Sequence, residues 1–65
     1  MHQNYARVIR ERNLTALIGL SRSTIRRKIA RGEDFPKPIR LGPNSIGWLM
    51  EDVERWIESR KETLQ

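Results

Sequence analysis

The stretch Gly19–Gly32, GLSRSTIRRKIARG, carries five Arg and Lys residues and no acid, and a glycine bounds it at each end. Its punctuation is that of a helix. Ser21 can accept a hydrogen bond from the free backbone N–H groups of a helix start, and Leu20 before it can pack on Ile25 as a hydrophobic staple. Gly32 offers the left-handed residue that commonly closes a helix. A helix is therefore expected from about Ser21 to Arg31. At about 100° per residue, Ile25 and Ile29 fall together, bordered by Arg22 and Lys28, while Ser23, Arg27, Ala30 and Arg31 lie opposite, flanked by Thr24 and Arg26. The helix should sit on its two isoleucines and turn short polar and cationic side chains outward.

Working upstream, RNLTALIGL places Leu14, Leu17 and Ile18 at i, i+3 and i+4, the apolar face of a short helix that ends near Gly19. Only Gly19 and Leu20 separate the two helical patterns, and so short a glycine-containing link sets two helices at a steep angle, as in a helix-turn-helix. Val8 and Ile9 read as a short strand or extended lead-in, and residues 1–7 as a loose start.

Downstream, EDFPKPIRLGPNSIGW changes character. Pro36 and Pro38 favour extended chain, and a period of two follows, with Ile39 and Leu41 on one face and Ile46 and Trp48 on one face across the turn. Gly42-Pro43-Asn44-Ser45 is a turn signal. The expectation is a two-stranded hairpin over 39–48, with Arg40 and Gly47 on its outward faces. MEDVERWIESRKETLQ then reads as an amphipathic helix on Val53, Trp56 and Ile57, with Glu51 and Asp52 in its first turn and Arg60 and Lys61 in its last. Residues 62–65 are read as a loose end. Trp48 and Trp56 both fall on apolar faces, which makes them core anchors rather than stacking platforms for bases.

Charge and composition narrow the function. Residues 1–48 carry ten basic and three acidic side chains, whereas residues 49–65 carry three basic and five acidic, so a chain of net +5 divides into a part at +7 and a part at −2. That asymmetry suggests a polyanionic partner. With 65 residues the chain is expected to be one domain, whose core supplies no more than about 3–5 kcal/mol without a ligand or partner. It has no cysteine, which excludes disulfides and thiolate metal sites, and its one histidine, His2, lies near the start. No nucleophile–base pair or metal-ligand set is evident, so neither an enzyme nor a cofactor or metal is expected. No apolar run approaches the roughly 20 residues of a membrane span, and no secretory signal is evident, which leads to an expected cytoplasmic location on nucleoid DNA.

The outward face of the Ser21–Arg31 helix suits DNA. Arginine offers a planar fork matched to the two major-groove acceptors of guanine or to a phosphate, and Ser and Thr are short enough to let the helix approach. The N–H groups at the helix start can also receive a phosphate.

The ordered set GLSRSTI, FPKPIRLGP, IGW and an acidic helix with a tryptophan resembles the AlpA family of phage-type transcriptional regulators, whose architecture is close to that of excisionases and MerR-type DNA-binding domains. The resemblance runs from about Arg7 to Arg60. It implies a mainly α fold with a small β-hairpin, a winged helix-turn-helix, with the second helix in the major groove and the wing on the adjacent minor groove or backbone. Carried over by position, it implies contacts to double-stranded DNA from Ser21, Arg22, Ser23, Thr24 and Arg27 on the helix and Arg40, Asn44 and Ser45 on the wing. The outward positions of Arg26 and Arg31 add these two to the set. The chain departs from the family where Arg26 stands for a frequent tyrosine and Lys28 for a frequent leucine.

The expected function is sequence-specific regulation of transcription. One alternative is an excisionase, a recombination directionality factor that bends attachment-site DNA beside a site-specific recombinase. Another is a basic module that meets RNA or an acidic protein. A footprint this small calls for self-association on repeated or inverted DNA sites.

Overall fold

The computed structural model describes residues 7–61, so the loose start read over 1–7 lies outside the described residues except for Arg7, which is held, its carbonyl accepting from the Met50 N–H at 2.8 Å, and the reading of 62–65 lies outside them as well. Its elements run β1 (Val8–Arg10), α1 (Glu11–Ile18), α2 (Arg22–Ala30), β2 (Ile39–Gly42), β3 (Ser45–Leu49) and α3 (Met50–Ser59). The three helices and the hairpin stand where the sequence places them, except that α3 ends at Ser59, which leaves Arg60 as its C-cap and Lys61 beyond it instead of in its last turn. The hairpin also gains a third strand: β1 pairs antiparallel with β3, giving the sheet order β1-β3-β2.

Local chemistry sets the helix ends. Gly19 closes α1 in the left-handed conformation at φ 73°, its N–H donating to the Thr15 carbonyl at 2.8 Å. Ser21 caps α2, accepting from the Thr24 N–H at 3.2 Å. At the other end Gly32, at φ 66°, donates to the Ile29 carbonyl and Glu33 to the Lys28 carbonyl, the paired bonds of a Schellman closure. The glycines bounding α2 thus serve as the two positive-φ turns of the described chain.

The core draws one side chain from each helix and one from the central strand: Leu14, Ile25, Val53 and Trp48 are fully buried, with Phe35 of the intervening loop beside them. Both tryptophans anchor, each with its indole N–H spent on a loop carbonyl. Trp48 donates to Pro36 at 3.1 Å, and the half-buried Trp56 donates to Asp34 at 2.7 Å while packing edge-on against Phe35. Among the described residues, no buried side-chain nitrogen or oxygen lacks a partner.

Three expectations need correction. Leu17, read as part of the apolar face of α1, is 50% exposed. It lies about 60° around the helix from Leu14, on the side away from Ile18, and so misses the line along which this two-turn helix meets the core. Arg40 and Gly47 do not share an outward face. The register pairs Arg40 with Ile46 and Ile39 with Gly47, and directly opposed residues lie on the same side, so Arg40 belongs to the side of Trp48. Gly47 is buried on the reverse side, where a Cβ would lie 2.8 Å from Val8 Cγ1, 2.9 Å from Leu41 Cδ1 and 3.2 Å from the Ile9 carbonyl.

The irregularity between Arg40 and Gly42 has its origin in the turn. Pro43 fixes a negative φ, and no described residue other than glycine has a positive φ, so Pro43-Asn44 cannot form the primed turn whose twist matches the strands. The extra residue, Leu41, absorbs the mismatch and is left 43% exposed.

Two substitutions test this construction. Ser21→Ala is expected to destabilise the fold by about 1 kcal/mol, read as a lower urea midpoint, because the Thr24 N–H loses its acceptor. Gly47→Val should cost about 1–3 kcal/mol through crowding against Val8 and Leu41, and Leu41→Ala in the same chain should restore part of the loss.

Candidate nucleic-acid interface

The buried side of α2 fixes its exposed side. With Ile25 in the core and Ile29 half-buried against it, Arg22, Ser23, Arg26, Arg27, Ala30 and Arg31 face solvent. The cap absorbs part of the expected contact set. The Ser21 hydroxyl, besides accepting from Thr24, donates to Thr24 Oγ1 at 2.9 Å and lies 3.3 Å from Ser23 Oγ. Thr24 is half-buried. Ser21 and Thr24 therefore shape the start of the helix, and Ser23 is the small polar side chain left on its outer surface.

Lys28, at the border of the apolar side, keeps 29% of its side chain exposed and holds Glu33 Oε1 at 3.2 Å. Its stem covers apolar surface while its ammonium reaches an acid in water. Arg31 lies 3.8 Å from the same carboxylate, on Oε2. Arg27 makes no ion pair among the described residues.

The acid-free helix has a counter-charge after all, supplied by α1. Glu11 accepts from Arg26 in a two-pronged pair, Nε to Oε2 at 3.1 Å and Nη2 to Oε1 at 2.9 Å, and Arg22 Nε lies 3.4 Å from the same Oε1. The hydrogen bond to Glu11, and then its charge, raise the pKa of Arg26 above its ordinary value. A guanidinium is protonated at any physiological pH, so what the pair contributes is a fixed orientation rather than a charge. The packing of α1 on α2 brings the first residue of one helix beside the middle of the other across fifteen residues of sequence.

The hairpin tip completes the surface. Asn44 joins Arg10, Glu11, Arg12, Arg22 and Arg26 around an open cleft of about 500 Å³. Arg10 is tied to the hairpin, its Nε donating to the Ile46 carbonyl at 3.1 Å. Arg10 and Arg12 were not among the expected contacts. The signal for them in the sequence is the run Arg10-Glu11-Arg12 at the start of the first helix. Arg40 is exposed at the tip and turns back on it, with Nη1 3.3 Å from the Pro43 carbonyl. Ser45 belongs to β3, half-buried and paired with Gly42, so Asn44 alone of that pair lies in the turn.

The structure thus brings Arg22, Arg26 and Asn44 together and sets Ser23, Arg27 and Arg31 on the adjoining exposed face of α2. The carboxylates of α3 are spent elsewhere, Asp52 and Glu51 on Arg55 and Glu58 on Lys61. Among the described residues no group of three His, Cys, Asp or Glu could hold a metal ion, and no helix is long and apolar enough to cross a membrane.

Residues 7–61 match the family model of the prophage CP4-57 regulatory protein (AlpA). The chain is also similar to an uncharacterized protein, ORF88, of Enterobacteria phage P4, with 41% identity over 54 residues that make up 83% of this chain and 60% of that protein. The chain therefore spans less than two thirds of the length of this relative.

Proposed function

Because the chain belongs to the prophage regulatory protein (AlpA) family, we propose that it binds double-stranded DNA in a sequence-specific way, as a single winged helix-turn-helix domain, to regulate transcription. The observation that carries this reading is the exposed face of α2. It offers three arginines and a serine, with a fourth arginine, Arg31, at the C-cap, on a helix whose opposite side is fixed in the core, next to a hairpin tip that carries Arg40. In this reading α2 enters the major groove, where the arginine forks meet guanine edges and Ser23 permits close approach. The tip, through Arg40 and Asn44, follows the adjacent backbone or minor groove, and Arg10 and Arg12 add phosphate contacts beyond those expected from the second helix and hairpin.

The family is a regulatory one, consistent with a role in binding rather than catalysis. Its place of action in this proposal is the cytoplasm, on nucleoid DNA. Because the contact surface is small, several copies on repeated or inverted half-sites would be needed for useful specificity. The same contacts would serve at a promoter or, beside a recombinase, at an attachment site, and the location of selected DNA fragments separates the two.

Reading and holding can be told apart by experiment. Arg27, exposed and without an ion pair among the described residues, is assigned a base edge, and Arg40 a phosphate. Affinities of the parent, Arg27→Ala and Arg40→Ala are measured for a selected site and a scrambled duplex at several salt concentrations. Arg27→Ala is expected to cost about 1–3 kcal/mol on the selected site and to flatten discrimination. Arg40→Ala should weaken both duplexes alike and reduce the slope of log K against log salt by about 1. Loss of discrimination in Arg40→Ala but not in Arg27→Ala would reverse the assignment. If neither change alters binding to any duplex, α2 is not a DNA-binding surface.

A further inference from the structure

Arg22 and Arg26 lie four residues apart on α2, so two like charges sit on consecutive turns of one helix face, an arrangement that is unfavourable without an anion nearby. Glu11 supplies that anion from a different helix. Its side chain is only 14% exposed, and both its oxygens engage α2 at 2.9–3.4 Å, while the arginine side chains remain 68% and 58% exposed. A surface meant only to attract phosphate would gain affinity from leaving both cations uncompensated, since each phosphate contact made by an arginine adds to sequence-independent binding. The acid works against that attraction and in return fixes the plane of one guanidinium. The two-pronged pair engages Nε and one N–H of Nη2 on Arg26, leaving three N–H donors on the same rigid fork.

We propose that Glu11 is a positioning residue for sequence reading. Acting from α1, it holds Arg26, and with it Arg22, so that their remaining donors meet base edges, and it suppresses their use as indiscriminate phosphate contacts. This inference rests on the reading of α2 as the groove-entering helix. A guanidinium already held in place loses less side-chain freedom when it meets a base. A carboxylate beside it repels any phosphate that approaches. Glu11 therefore favours the right duplex and penalises the wrong one, so its removal should move the two affinities in opposite directions.

The test uses the full chain as the parent, Glu11→Gln, Glu11→Asp, Arg26→Ala and the Glu11→Gln/Arg26→Ala double variant, with affinities for a selected site and a scrambled duplex over a range of salt, and urea midpoints for each protein. Glu11→Gln is expected to bind the scrambled duplex more tightly, to steepen the salt slope by about 1 and to lower discrimination about tenfold. Glu11→Asp, which keeps the charge and shortens the reach, should retain weak binding to the scrambled duplex while losing part of the discrimination. In the Arg26→Ala background, where Glu11 has only Arg22 left to hold at 3.4 Å, Glu11→Gln should change the ratio of the two affinities less than it does in the parent. A merely structural Glu11 would lower the urea midpoint and weaken both duplexes together at a constant ratio, and that result overturns the proposal. If Arg27→Ala loses discrimination while Glu11→Gln and Glu11→Asp keep the ratio of the parent, DNA reading by α2 stands and the role of Glu11 falls. If the parent itself does not distinguish the duplexes, the reading beneath the proposal fails first.

Discussion

Everything in this fold leans on Trp48. It stands on the central strand, fully buried, on the side of the sheet that faces the core, and Leu14, Ile25 and Val53 share its cluster, one from each helix. Burial of an indole requires a partner for its N–H, and the Pro36 carbonyl at 3.1 Å supplies one, which also fixes the loop that leads from α2 to the hairpin. A chain of this length is left with a net stability of only about 3–5 kcal/mol, so losing even one fully buried aliphatic side chain, about 1.5–3 kcal/mol, removes a large part of it. The orientation of α2 therefore depends on very few contacts, chiefly Ile25 with Ile29 beside it. Arg26 and Arg27, the next two residues after Ile25, face solvent because Ile25 faces the core.

The features legible in the sequence are those decided within a few residues. Ser21, Gly19 and Gly32 act through the backbone geometry of their own turns, and the pair Ile25 and Ile29 needs only the helical period. Both tryptophans were legible as anchors for the same reason. What was not legible depends on how elements meet. Leu17 matches the apolar spacing of Leu14 and Ile18, yet a helix of two turns presents too narrow a line to the core to bury all three. The hairpin register hinged on Leu41, whose extra position moves Arg40 to the side of Trp48 and buries Gly47 between Val8 and Leu41. Three residues of β1 were too few for alternation to declare a strand, although Val8 and Ile9 pointed to one. Glu11 was hidden most deeply, because its partners lie eleven and fifteen residues away and are reached only through the packing of one helix on another.

The electrostatic pattern is finer than the division of the chain into a basic and an acidic part. On α2 the cations fall into three environments: Arg22 and Arg26 held by Glu11, Lys28 and Arg31 near Glu33, and Arg27 without an acid. Acids of α3 and its neighbours are matched locally, Asp34 with Arg60 at 2.9 Å and Asp52 with Arg55 at 3.1 Å. Exposed pairs of this kind add little stability, about 0–1 kcal/mol each. Their consequence lies in where positive charge is left over. It concentrates along α2, the start of α1 and the hairpin tip, the three elements that surround the Asn44 cleft.

In the proposed function, the face of α2 set by Ile25 and Trp48 is the surface that meets DNA. Titration of isotopically labelled protein with a selected duplex, followed amide by amide, tests it most directly. The largest changes are expected at the amides of Ser21–Arg27 and at Asn44 and Ser45, with smaller ones at Arg10 and Arg12 and little movement across Val53–Ser59. If the largest changes instead fall on α3 and around Phe35 and Trp56, while the amides of α2 stay unmoved, the claim is contradicted.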